Sequence, residues 1–152
     1  MVSISYQNNG SNENDKFKNS ISNQSSGLVP PQNIQAEESV LGGILLDPDA
    51  IGRIADLLQP EAFYINAHRE IYKTAITLHS QGKPTDLTSM SAWLADNGSL
   101  DLIGGNNKLV ELVENVSSTA SIEQVARLIS DKFLRRQLIR SGNEVVQLGF
   151  DQ

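Results

Sequence analysis

The sequence predicts an all-α fold of six helices, the last of them by far the longest. Three observations carry that expectation. From Asn33 onward apolar residues recur at intervals of three and four, the repeat of one helix face. Helix-start and helix-stop residues punctuate the segments between Asn33 and Ser121. No convincing alternating run competes, and Asn97-Gly98 follows a helical pattern, so it reads as a helix stop and not as a hairpin.

Residues 1–32 differ in kind from the rest. Asn, Ser and Gln dominate, and apolar residues are too scattered to offset the entropy of ordering, which predicts a disordered tail closed by Pro30-Pro31. The domain is expected over residues 33–150. Asn33 is placed to cap a first helix carrying Ile34, Val40, Leu41, Ile44 and Leu45, with Glu37-Glu38 near its positive end. Gly42-Gly43 inside that helix costs propensity, about 1 kcal/mol each against alanine, which suggests close approach of a neighbouring backbone. Asp47-Pro48 signals a second helix with Ile51, Ile54, Ala55 and Leu58 inward and Pro60 as its end. A third spans roughly Asn66 to Gln81, turning Ala67, Ile71, Ala75 and Leu78 inward and stopping at Gly82. Asp86 caps a fourth with Leu87, Met90 and Leu94, stopped by Gly98. Gly104-Gly105 opens a fifth holding Leu109, Leu112 and Val113.

After a Ser-rich turn, Ser121 with Gln124 three residues on forms a capping box for the long helix. At 100° per residue Ile122, Ala126, Ile129 and Phe133 make one narrow stripe. Beyond Phe133 the apolar line moves: Leu134, Leu138, Val145 and Leu148 lie roughly 120° around, and Ile139, Val146 and Phe150 form a third line. One core needs one stripe, so the extra lines predict a second contact, with another subunit or a partner. Gly142 is placed where the helix could bend.

Net charge of −6 argues against a general nucleic-acid binder, although Arg127, Lys132, Arg135, Arg136 and Arg140 face only Asp131 within residues 127–140. That stretch reads as a solvated helix side or an electrostatic docking surface. The chain has no cysteine, which excludes disulfides and thiolate chemistry. Neither a secretory signal nor an apolar run of membrane-spanning length is present. There is no G-x-x-x-x-G-K-[ST] loop for nucleotide phosphates. His68 and His79 lack acidic ligands at metal spacing; His68 is expected to cap or pack at a helix start and His79 to face solvent. Glu37-Glu38 and Glu111 with Glu114 are explained by helix electrostatics or solvation, with no nucleophile beside them. Trp93 falls beside its helix's apolar line and is expected to pack in the core or an interface.

Five blocks, in order and with matching spacing over about residues 28–151, carry a family resemblance. They are VPPQNIQAEESVLGGILLDPDAI, PEAFYINAHREIY, QGKPTDL, LIGGNNKLVELV and SIEQVARLISDKFLRRQLI. This pattern resembles the N-terminal domain of the DnaB-type replicative helicases. Departures fall at Lys108 and Val125, where the family usually has tyrosine, and at the turn Ser117-Ser118-Thr119-Ala120-Ser121.

The resemblance implies an all-helical globular head, about residues 33–104, followed by a helical hairpin, about 105–148. It implies that hairpins pair subunits, that three pairs form the collar of a hexamer, and that a DnaG-type primase and in some systems a loader dock there. Self-association is accordingly assigned to Phe133, Leu134, Leu138 and Leu148. Primase docking is assigned to Lys108, Arg135, Arg136, Ile139, Arg140, Val145 and Val146. The ATPase motor, with its ATP, Mg and principal DNA contacts, belongs to a separate C-terminal domain expected to be absent here, so no cofactor and no catalytic residue is assigned to this chain. The implied setting is the bacterial cytoplasm, at the replisome. The alternatives are a stand-alone or truncated member of the family, or an independent helical DNA-binding protein.

Overall fold

The computed structural model describes residues 27–116 and 120–151. The expected disordered tail therefore lies almost wholly outside the described residues, as does most of the Ser-rich turn. The chain divides into two units, one ending at Pro30 and one beginning at Pro31; the six α-helices of the described residues belong to the second. Among the described residues there is no strand.

Helix α1 (Ile34–Leu46) starts as expected, with Ala36 N–H donating to Asn33 Oδ1 at 3.0 Å. It is the central element: Val40, Leu41, Ile44 and Leu45 are buried, and α1 packs against every other helix. Gly42 permits the closest of these approaches, since a Cβ there would collide with the Leu112 carbonyl oxygen and the Val116 side chain. The second helix differs from expectation. Asp47 Oδ1 accepts from Asp49 N–H at 3.0 Å, and α2 covers only Ala50–Ile54. Leu57 and Leu58 N–H both return to the Ile54 carbonyl, closing the helix as a turn. Pro60 does not end α2 but begins a separate 3₁₀ turn, Pro60–Ala62, where its fixed φ and missing donor cost nothing.

Helix α3 (Asn66–Ser80) and α4 (Leu87–Asp96) both stop at a left-handed glycine. Gly82 has φ 69° and is followed by Lys83 N–H to Leu78 O at 2.9 Å; Gly98 has φ 68° and is followed by Ser99 N–H to Leu94 O at 2.8 Å. Asp86 stands at the cap position of α4, yet its carboxylate makes no capping hydrogen bond. Helix α5 (Gly105–Glu114) buries Leu109 and Leu112, and α6 (Ile122–Phe150) begins with Gln124 N–H donating to Ser121 Oγ at 3.3 Å.

Helix α5 and the first part of α6 both pack chiefly on α1 and contribute buried residues to the core. Close approach at Gly42 draws α5 into the core, and Val125, Ala126 and Ile129 do the same for α6.

Candidate interaction surface

The stripe change at Phe133 marks where α6 leaves the head. Ala126 and Ile129 are buried on the core, and Ile122 and Phe133 pack against it partly buried. Beyond them, Leu134, Leu138, Ile139, Val145 and Leu148 are between 49 and 71% exposed, on a helix that continues unbroken to Phe150. This second half of α6, residues 134–150, forms an arm. Five large apolar side chains exposed on one helical segment form an apolar surface that no core cluster of the described residues covers.

The candidate residues separate into three groups. Leu134, Leu138 and Leu148 lie exposed on the arm, as do Ile139 and Val145, with Val146 half-buried on the same helix. Arg135 and Arg140 are also on the arm, each in an exposed pair one turn apart, to Asp131 at 2.9 Å and to Glu144 at 3.1 Å. Such pairs are worth only about 0.3–0.5 kcal/mol, so both guanidinium groups remain exchangeable. The remaining three are placed elsewhere. Phe133 is committed to the head, partly buried against its core, and offers no free face comparable with the leucines. Lys108 stands on α5, where its ammonium lies 3.4 Å from both Glu38 and Glu111. Arg136 turns inward: Nη1 donates to Pro31 O at 2.7 Å and Nη2 to Ala62 O at 2.6 Å, so it is withdrawn from the steering charges.

Behind Arg136 lies a polar network that the sequence did not announce. Glu37, expected to be a solvated helix-end charge, is buried in α1. Its Oε1 accepts from Tyr64 N–H at 2.6 Å and its Oε2 from Ile65 N–H at 3.4 Å, with His68 Nδ1 2.8 Å from the same oxygen. The segment between the 3₁₀ turn and α3 has free backbone donors, and the carboxylate collects them. The Tyr64 ring lies 5.5 Å from the Arg136 guanidinium carbon and the Phe133 ring 5.7 Å. Burial holds Arg136 below the usual guanidinium range; nearby Glu37 opposes that shift and Arg69 adds to it. The spacing Glu37 to His68 carries no local signal, which is why sequence reasoning missed the pair.

Elsewhere the chemistry is sparse. Among the described residues no cluster of His, Cys, Asp and Glu could hold a metal ion, and no helix is long and apolar enough to cross a membrane. His79 is exposed, and Trp93 packs partly buried on the core with Lys83 Nζ 5.3 Å from its ring centre.

Residues 29–131 match the model of the family described as the DnaB-like helicase N terminal domain. The chain belongs to the DnaB-like helicase N-terminal domain family. It is 56% identical over 132 residues to the replicative DNA helicase DnaB of Nostoc sp. (strain PCC 7120), a match covering 87% of this chain and 15% of that protein. It is 38% identical over 122 residues to that of Geobacillus stearothermophilus, covering 80% of this chain and 27% of that protein. The chain thus spans well under a third of the length of these curated relatives.

Two solved structures share the fold. The crystal structure of the N-terminal domain of DnaB helicase from Mycobacterium tuberculosis has a TM-score of 0.76 and 38% identity, covering 80% of this chain and 85% of that one. A structure described as that of a DnaB-like replicative helicase and its interactions with primase has a TM-score of 0.67 and 33% identity, covering 76% and 27%. The family match ends at residue 131, just before the arm begins.

Proposed function

We propose that this domain serves DNA replication as the assembly and partner-docking part of a replicative helicase and hydrolyses no ATP itself. The observation that carries this reading is the arm, an unbroken helix with five large exposed apolar side chains. Seventeen residues give a helix about 25 Å long, enough for a paired-helix contact of the kind that divided cores make. Leu134, Leu138 and Leu148 on one apolar line serve pairing between copies; three pairs then form the collar of a hexamer. The other line, Ile139 and Val146 with Val145 beside it, serves primase, flanked by Arg135 and Arg140. Relatives of this chain are replicative helicases, and one structural neighbour is described with primase interactions, which supports this choice of partners. ATP, Mg and principal DNA contacts belong to the motor part of such helicases. The DNA-binding alternative loses support, because Arg136 is engaged within the head and the chain as a whole carries a net charge of −6.

The test is sedimentation velocity across a concentration series. Wild type is expected to associate, and Leu138→Asp to sediment as a monomer with unchanged helicity, because a buried unpaired charge opposes pairing. A strictly monomeric wild type at every concentration overturns the reading.

A further inference from the structure

The arm extends beyond the apolar anchor of α6, which ends at Phe133. From Val125 to Phe133 that anchor is about 12 Å long, whereas the arm runs about 25 Å past it, so any rocking at the anchor is amplified at the tip. One side chain extends the grip. Arg136 lies a turn past Phe133, and its two terminal nitrogens reach two separate segments: Pro31, where the helical unit begins, and Ala62, the last residue of the 3₁₀ turn. Its guanidinium also lies within cation–π distance of Tyr64, a residue whose backbone N–H is held by Glu37 of α1. The contact therefore ties α6 to backbone that α1 has already fixed.

We propose that Arg136 is a positioning residue that sets the direction in which the arm leaves the head, by clasping α6 to the Pro31 and Ala62 carbonyls. A guanidinium suits the task because its planar fork sends two donors to different acceptors while its face lies against a ring; an ammonium at the end of a lysine chain cannot do all three. Removing it leaves the apolar anchor, and so the head, in place. The consequence for assembly rests on the pairing reading: if arms pair, their direction decides where each head sits and whether a ring can close.

The chain has no cysteine, so two introduced thiols take spin labels without competition. Ala95→Cys on α4 and Ser141→Cys on the arm are both exposed positions. Labelled chain, diluted in unlabelled chain so that only distances within one molecule are read, is compared with Arg136→Ala and Arg136→Lys by dipolar spectroscopy. A narrow distribution is expected with Arg136, one about two-fold broader or shifted with alanine, and an intermediate one with lysine, given the lever from anchor to tip. Head melting followed by circular dichroism should change little in either variant. Equal distributions for all three chains overturn the proposal, and so does loss of the folded head in both variants, which would make Arg136 a core residue. The pairing reading fails separately: a monomeric wild type that still shows the arginine-dependent distance leaves the clasp standing.

Discussion

Tyr72 is fully buried beside Phe63, ring centres 4.8 Å apart, and its hydroxyl donates to the Leu58 carbonyl at 2.6 Å. Burial pushes its phenol well above the ordinary value of 10.0, because the ionised form has no water to stabilise it. The folded state therefore holds this proton more tightly than the unfolded chain. Its contribution is intact below pH 10.0 and is withdrawn as pH rises beyond that, where the unfolded phenol ionises first. Tyr72→Phe should cost about 1–2 kcal/mol at neutral pH, for the lost hydrogen bond and the carbonyl left without its donor. It should also flatten the alkaline fall in stability. Urea denaturation of both chains at pH 7 and above pH 10 checks this; parallel alkaline curves would show that the phenol's burial is not what the folded state loses. At this scale the sequence was least legible. Glu37 and Arg136 read as surface charges because their partners, at residues 64–68 and at Pro31 and Ala62, are distant along the chain. Periodicity reports which face is apolar, and says nothing of a polar group that meets its partner across the fold.

At the scale of elements the sequence spoke more clearly, because caps and stops are local. Asn33, Ser121, Gly82 and Gly98 each act where their backbone chemistry predicts. The second helix was over-extended: apolar spacing through Leu58 fits both a helix and the turn that closes after Ile54, and Leu58 is buried either way. The double glycine of α1 was read as a site of close packing, and the structure separates its two members. A Cβ on Gly42 meets α5 backbone at the Leu112 carbonyl, which cannot move aside without shifting the helix. A Cβ on Gly43 meets only the tip of the Ile122 side chain, at 3.3 Å. Both substitutions to alanine gain about 1 kcal/mol of helix propensity. For Gly42→Ala this gain is outweighed by overpacking of about 1–3 kcal/mol or more, giving net destabilisation. Gly43→Ala should be close to neutral or mildly stabilising. Chemical denaturation of the two variants side by side decides it, and equal effects would mean that α1 and α5 are not in register at Gly42.

For the whole molecule, the head has its core around α1, and among the described residues the arm carries exposed apolar side chains outside that core. That asymmetry is legible in the shift of apolar lines beyond Phe133; the packing partner of α5 and the start of α6 is not, because they carry the same kind of stripe whether they face α1 or each other. The two arm lines diverge around the helix by about 100°, the step between Leu138 and Ile139. A single partner helix covers one such line and leaves the other in water, so paired arms still present Ile139, Val146 and the neighbouring Arg135 and Arg140. Their ion pairs to Asp131 and Glu144 are exposed and weak, so an acidic partner surface can replace either carboxylate at little cost. Lys108 and Arg136 should contribute nothing comparable, being held by Glu38 and Glu111 and by Pro31 and Ala62. Titrating the domain with the helicase-binding part of its own primase distinguishes these residues. Ile139→Asp should weaken binding by about 2 kcal/mol, close to thirty-fold, through loss of an anchor and burial of a charge, while sedimentation still shows pairs. Lys108→Ala should bind as wild type does. If Ile139→Asp binds unchanged while Leu138→Asp abolishes binding together with pairing, primase reads the pair itself and not the second line.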